Sequence, residues 1–166
     1  MADDLLLAKA EKKAYRLLAL RAHSEKELHE KLRRGGFAEE VISRVTQRCR
    51  ELGYLNDRNY ARQRVRELAL HRLAGNRRIA VDLQERGISQ ELSREMIGEI
   101  REEISEEEAI GRLIQKRMKG TAVAAMDDRQ REKLARSLTG KGFPAGLIFE
   151  LLKGRGGEGV HGFDGE

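Results

Sequence analysis

The stretch LHEKLRRGGF, residues 28–37, decides the fold of this 166-residue chain because its pattern occurs three times. Two aliphatic residues four positions apart are followed by a polar stretch, a glycine and a large apolar residue. The pattern returns as IAVDLQERGI at 79–88 and as LARSLTGKGF at 134–143. The equivalent leucines Leu32, Leu83 and Leu138 are 51 and 55 residues apart. A unit of about fifty residues is therefore predicted to repeat in tandem.

Each occurrence has the features of a helix end. Aliphatic residues at i and i+4 lie on one helix face, and a glycine can adopt the left-handed conformation that ends a helix. The large apolar residue after the glycine can then pack back on the helix. Leu32, Leu83 and Leu138 are accordingly predicted to be equivalent buried positions.

Helical patterns flank every occurrence, so each unit is predicted to contain three helices. Apolar residues with helical spacing come before it, as at Ala61, Val65 and Leu68, and after it, as at Leu92 and Met96. Capping-box sequences begin at Ser24 and Ser105, and Ser89 is a further candidate N-cap. No stretch alternates as a strand does. The predicted fold class is all-α, with three tandem three-helix repeats and nine principal helices.

The predicted repeats span residues 10–53, 54–103 and 104–153, with breaks near 53–56 and 103–105. Residues 1–9 are predicted to be an N-terminal extension, and 154–166 a flexible glycine-rich tail. With 37% charged and 39% hydrophobic residues and no tryptophan, the chain suits small modules with thin cores. The single cysteine, Cys49, is expected to be a buried, inert thiol. No apolar run suits a membrane span or an export signal, which predicts a cytoplasmic location.

Positive charge is concentrated in the first half of the chain. Residues 9–81 hold 19 basic and 9 acidic residues, whereas 82–108 hold 3 basic and 10 acidic. Arg58, Arg62 and Arg66 recur every four positions as a basic stripe, and the basic run continues to the next helix through Arg72, Arg77 and Arg78. Such a surface suits phosphates or an acidic protein groove. A merely solvated helix face is the alternative, and the scarcity of aromatic residues disfavours recognition of single strands by base stacking.

No catalytic or metal-binding constellation is found. The four histidines, His23, His29, His71 and His161, lack partners at metal-ligand spacing and are interpreted as ordinary surface residues. Residues 154–159 match G-x-G-x-x-G only formally, since no strand precedes them. The chain is therefore predicted to be no enzyme, with no metal and no cofactor.

The second repeat carries a recognisable signature. It consists of LGYLND at 52–57, Tyr60-Ala61, Arg66, Gly75, Arg78-Ile79, Leu83 and Arg86-Gly87-Ile88. This run resembles the signature of the RecX family, regulators of the RecA recombinase, and the first repeat supports it between Leu20 and Phe37. The resemblance covers roughly residues 10–153 and is weak in the third repeat. Asn56 and Tyr60 are mild departures, because an acidic residue and Phe are commoner there.

The resemblance implies an elongated, curved array lying in the groove of the RecA filament on single-stranded DNA. It also implies inhibition of the recombinase, of its ATP hydrolysis and of its co-protease activity. We expect a monomer, with Arg58, Arg62, Arg66, Arg72, Arg77 and Arg78 as the partner-binding residues. Tyr54, Leu55, Tyr60 and Ile79 are interpreted as core and turn residues, and Gly75 as a helix-junction residue. The alternative function is that of a direct DNA-binding protein with a helix-turn-helix-like unit, and weak direct DNA contact also remains open.

Overall fold

A computed structural model of the chain describes residues 2–118 and 123–153. Within these ranges there are nine α-helices and no strand, as the sequence predicts. The helices are α1 (Ala2–Leu20), α2 (Glu25–Arg34), α3 (Glu39–Glu51), α4 (Asp57–Arg66), α5 (Asn76–Glu85), α6 (Gln90–Glu103), α7 (Glu106–Met118), α8 (Asp128–Gly140) and α9 (Ala145–Lys153). Helices end at Glu51 and Glu103, next to the positions 53–56 and 103–105 where breaks between repeats are predicted. The predicted tail and His161 lie outside the described residues.

The repeated sequence pattern forms the same helix-ending turn three times. Gly36, Gly87 and Gly142 have φ values of 82°, 78° and 91°, which lie in the left-handed region. In each turn the N–H of the apolar residue after the glycine donates to the carbonyl of the leucine five positions earlier. These N···O distances are 3.4 Å for Phe37 to Leu32, 3.0 Å for Ile88 to Leu83 and 3.3 Å for Phe143 to Leu138. This is the six-to-one hydrogen bond of the Schellman motif, which satisfies an otherwise orphaned carbonyl.

The equivalence of the three leucines is confirmed by their burial. Leu32 and Leu83 are 0% exposed and Leu138 is 1% exposed. The predicted N-caps form as well: Ser24 and Glu27 make a reciprocal capping box, and so do Ser105 and Glu108. Ser89 accepts from the N–H of Leu92 at 3.2 Å. Local sequence signals therefore fix where these helices begin and end.

By packing, the described chain divides into two compact units. The first unit comprises residues 2–66 and 80–98, and the second comprises 67–79 and 99–153 without the undescribed 119–122. The core of the first unit includes Ala10, Ala14, Leu28, Leu32, Ile42, Val45, Cys49 and Leu55. Buried residues of the second include Leu68, Ile104, Ile110, Leu138, Phe143 and Ile148. The repeat boundaries remain a prediction, and residues 2–9 of the expected extension form the beginning of α1.

A π-helical segment, Glu67–His71, follows α4 and was not anticipated from the sequence. Leu73, just beyond it, is the only non-glycine residue with positive φ (49°) among those described. The Ala74 N–H donates back to the Leu68 carbonyl at 2.9 Å and closes the segment. The sequence gives little signal for such a widened turn, because the apolar residues around it keep nearly the spacing of an ordinary helix.

One expectation about an individual residue is wrong. His23 is 3% exposed and is therefore buried, not a surface residue. Tyr54, interpreted as a core or turn residue, lies in the turn after α3, where its N–H donates to the Cys49 carbonyl at 2.9 Å. Its side chain is 59% exposed and makes an edge-to-face contact with Tyr15 at 5.8 Å between ring centroids. The expected burial of Leu55, Tyr60 and Ile79 is confirmed, as is that of Cys49, whose thiol pKa is raised by burial.

Candidate partner-binding surface

The three arginines predicted to form a stripe lie along α4 in the first unit. Arg58, Arg62 and Arg66 are all exposed, and their spacing of four residues places them along one side of the helix. Arg58 forms a forked ion pair with Glu95, with its Nη1 3.0 Å from Oε2. Its charge is thus partly balanced within the chain, although both side chains remain nearly half exposed.

The other three predicted residues belong to the second unit. Arg72 pairs with Glu67 at 3.0 Å between Nη2 and Oε1 and stays exposed. Arg77 and Arg78 are exposed on the first turn of α5. Across residues 2–118 and 123–153, no carboxylate lies within 4.0 Å of a guanidinium nitrogen of either. The structure therefore brings together Arg58, Arg62 and Arg66 in one unit and Arg72, Arg77 and Arg78 in the other.

Sequence reasoning missed an ionic network inside the first unit. Arg64 donates to both carboxylate oxygens of Asp82, each at 2.7 Å. Arg86 donates through Nε to Asp82 at 2.9 Å, and through Nη1 to Glu27 at 2.6 Å and to the Tyr60 hydroxyl at 3.1 Å. The exposed fractions of the four charged side chains lie between 15% and 27%. The i,i+4 spacing of Asp82 and Arg86 and the capping role of Glu27 were the only sequence signals for it.

The electrostatics of the network favour its charged form. Burial by itself raises the pKa of Asp82, but hydrogen bonds from Arg64 and Arg86 outweigh it and leave the pKa below its ordinary value. The pKa of Glu27 is also lowered. Burial by itself would raise it, but hydrogen bonds from Arg21 and from the Ser24 N–H outweigh that effect. Both carboxylates are therefore ionised at neutral pH. The network ties α2, α4 and α5 together and has a structural role.

Backbone contacts reinforce that junction. The Ser24 hydroxyl donates to the Arg86 carbonyl at 2.7 Å, and the Glu25 N–H donates to Asp57 Oδ1 at 2.8 Å. Burial raises the pKa of Asp57 despite that hydrogen bond. The second half of the signature sequence, around Arg86 and Gly87, thus packs on the N-terminus of α2.

A comparable junction exists in the second unit, where two glycines allow backbone to meet backbone. The Gly75 N–H donates to the Lys141 carbonyl at 2.9 Å, and a Cβ on Gly75 would lie 2.4 Å from the Gly142 carbonyl carbon. Arg101 donates to Asn76 Oδ1 at 2.6 Å and to the Ala74 carbonyl at 2.8 Å. Gly75, expected at a helix junction, immediately precedes α5, and its lack of a side chain is required by this close approach.

The described part of the chain offers little for other kinds of site. There, no group of three or more His, Cys, Asp or Glu side chains could hold a metal ion. Of the helices described, none is both long and apolar enough to cross a membrane. The exposed positive charge is the feature on which the predicted partner-binding surface rests.

Tandem three-helix domains with exposed arginines define a helical repeat protein with a candidate binding surface. Residues 10–49 match the family model for the first three-helix domain of RecX, and residues 56–97 match the model for the second. The regulatory protein RecX of Syntrophotalea carbinolica is 33% identical over 139 residues, which are 84% of this chain and 91% of that protein. The chain therefore belongs to the RecX family.

Further comparisons agree. The regulatory protein RecX of Caldanaerobacter subterraneus subsp. tengcongensis is 32% identical over 143 residues, covering 86% of this chain and 68% of that protein. The crystal structure of RecX from Lactobacillus salivarius superposes with a TM-score of 0.75 at 25% identity, covering 92% of this chain and 97% of that chain. The Syntrophotalea and Caldanaerobacter relatives both carry the name of regulatory proteins.

Proposed function

We propose that this chain binds the RecA recombinase filament on single-stranded DNA and inhibits its recombinase, ATPase and co-protease activities. In this way it would regulate DNA repair and recombination, acting in the cytoplasm as a monomer without a cofactor. Membership of the RecX family carries the proposal, because the signature on which it rests coincides with the two matched domains. The regulatory name of the relatives supports a protein partner.

The exposed arginines supply a physical means of binding. Arg58, Arg62, Arg66, Arg72, Arg77 and Arg78 are exposed and lie in the two units. Surface charges contribute little to the free energy of folding but accelerate and orient association with a surface of opposite charge. Contacts from both units would add through multivalency, so no single site needs to be very tight.

The test is the DNA-dependent hydrolysis of ATP by RecA filaments assembled on single-stranded DNA. Wild-type protein is expected to inhibit hydrolysis, and the variant with Arg62, Arg66, Arg77 and Arg78 all changed to Glu is expected not to. A matched control reverses four other exposed cations, Lys9, Lys12, Arg33 and Arg44. That control should retain inhibition, because it changes the net charge equally without touching the proposed surface.

Two results would count against the proposal. Full inhibition by the quadruple variant at moderate salt would place the contact elsewhere, and no inhibition by the wild type would remove the proposed activity. Binding to duplex DNA together with no inhibition of the filament would instead favour the helix-turn-helix alternative. Circular dichroism of each variant verifies that the helices are intact.

A further inference from the structure

Lys141, in the turn that ends α8, lies in an unusually cationic environment. Its Nζ donates to the Arg72 carbonyl at 3.0 Å, and the side chain is partly buried. Burial and the charges of Arg117, Lys116 and Arg78 lower the pKa of Lys141. Among residues 2–118 and 123–153, no carboxylate contributes to this shift of the Lys141 pKa. All of these residues belong to the second unit.

Packing holds the segments that carry these cations together. Arg117, in the last turn of α7, lines the same crevice as Lys141. A Cβ on Gly142 would lie 2.4 Å from the Arg78 backbone nitrogen, so the turn rests directly on the first turn of α5. The Arg77 N–H donates to the Gly142 carbonyl at 3.3 Å. The end of α7, the turn after α8 and the start of α5 therefore meet at one place.

No carboxylate of the described residues balances the charge at this place. Elsewhere arginines face carboxylates, as in the pairs of Arg64 with Asp82 and of Arg72 with Glu67. Among the residues that the structure describes, Arg78, Lys116, Arg117 and Lys141 have no carboxylate oxygen within 4.0 Å. Like charges that are close together repel one another. An anionic ligand would relieve this repulsion.

We propose that Arg78, Lys116, Arg117 and Lys141 form a binding site for the phosphodiester backbone of a nucleic acid. Lysine supplies point charges and arginine supplies forked donors, and both suit phosphate oxygens. The crevice between Arg117 and Lys141 has a volume of only about 10 Å³, and a chain of repeated phosphates needs no deep pocket, because it binds to exposed cations on the surface. Aromatic residues make up only 4% of the chain, so binding should follow backbone charge and not base identity.

This site goes beyond the proposed function because it operates without a recombinase. The test measures fluorescence anisotropy of a labelled single-stranded oligonucleotide, and of its duplex, at several salt concentrations. The variant K116Q/R117Q/K141Q is expected to bind at least roughly tenfold more weakly than wild type. The slope of log K against log salt should become shallower by about 0.7–0.9 for each phosphate that the variant no longer neutralises. Arg78 is left unchanged so that the arginines proposed to contact the filament stay intact.

The matched control K12Q/R33Q/R44Q removes three exposed cations of the first unit and should keep both the affinity and the salt slope. Because Lys141 also donates to the backbone, K116Q/R117Q is measured in parallel and should show part of the loss with an unchanged melting temperature. Equal DNA affinity of the triple variant and wild type would overturn the proposal, as would an equal loss in the control. Loss of filament inhibition with unchanged DNA affinity would also overturn it, since the cations would then contact a protein.

Discussion

Arg64 and Asp82 form a two-pronged ion pair, with Nε 2.7 Å from Oδ1 and Nη2 2.7 Å from Oδ2. Each side chain is only 17% exposed. Arg86 contacts the same carboxylate and also Glu27. Asp82 is thus the anion shared by two arginines, and its replacement removes a charged hydrogen-bond acceptor from both partly buried guanidinium groups.

Replacing Asp82 with Asn should lower the free energy of unfolding by about 1.5–3 kcal/mol, because two partly buried arginines lose hydrogen bonds to a charged acceptor. Urea denaturation followed by circular dichroism measures this loss. The control is Arg58→Ala, which breaks the exposed pair with Glu95 and should cost no more than about 1 kcal/mol. Similar losses in both variants would show that burial does not set the strength of these pairs.

Acid should weaken the wild type through the same carboxylate. The pKa of Asp82 is lowered in the folded protein, so the unfolded chain binds a proton first as pH falls. The stabilisation is complete above the unfolded pKa of about 3.9 and is lost as pH falls through the folded pKa. The pH dependence of unfolding below about pH 4 should therefore be flatter in Asp82→Asn than in wild type. Parallel curves of unfolding free energy against pH for the two proteins would contradict the lowered pKa of Asp82.

His23 should make stability depend on pH in a higher range. Burial lowers its pKa below the ordinary value of 6.5, and outweighs the hydrogen bond from Nδ1–H to the Arg21 carbonyl at 2.9 Å. The unfolded chain then takes up a proton more readily, so the free energy of unfolding should fall as pH drops below about 6.5. The variant His23→Gln should lose this part of the slope. Because the substitution also changes the stability itself, the two proteins are compared by the slope of the free energy of unfolding against pH. The slope is measured between about pH 7.5 and 5.5, a range that brackets the ordinary histidine pKa.

The three equivalent leucines should be equally sensitive to truncation. Leu32→Ala, Leu83→Ala and Leu138→Ala should each cost about 2–5 kcal/mol, because each leaves a cavity in a fully buried site. Thermal or urea unfolding measures the losses. Leu20, at 77% exposure, is the control, and its replacement by Ala should change stability by no more than about 0.5 kcal/mol. A harmless substitution at any of the three buried positions would break the proposed equivalence.

Gly75→Ala should destabilise the second unit. The added Cβ would lie 2.4 Å from the Gly142 carbonyl carbon, which is backbone and cannot rotate away. We expect a cost of about 1–3 kcal/mol, as for overpacking. Gly98 is the matched control, because it is in α6 and its Cβ would meet nothing within 4 Å; Gly98→Ala should instead stabilise by about 0.5–1 kcal/mol. A stabilising effect at Gly75 would mean that the junction is not tightly packed.

Much of the fold was predictable because its signals are local. The left-handed glycines at 36, 87 and 142, the capping serines and the helical spacing of the leucines act within a few residues of one another. A helix end depends on hydrogen bonds between near neighbours in the chain, so its position is written in the adjacent sequence. The family signature is likewise a linear pattern, and the matched domains coincide with it.

The tertiary structure alone decided which charges are neutralised inside the protein and which are exposed. In the sequence, Arg64 is one arginine among several on α4, yet it lies against Asp82 while Arg62 is exposed. The approach of Lys141 to Lys116 and Arg117 could not be read from the sequence, because Lys141 is far from both of them in the chain. Electrostatic energy depends on distance and burial, and both quantities exist only once the helices have packed.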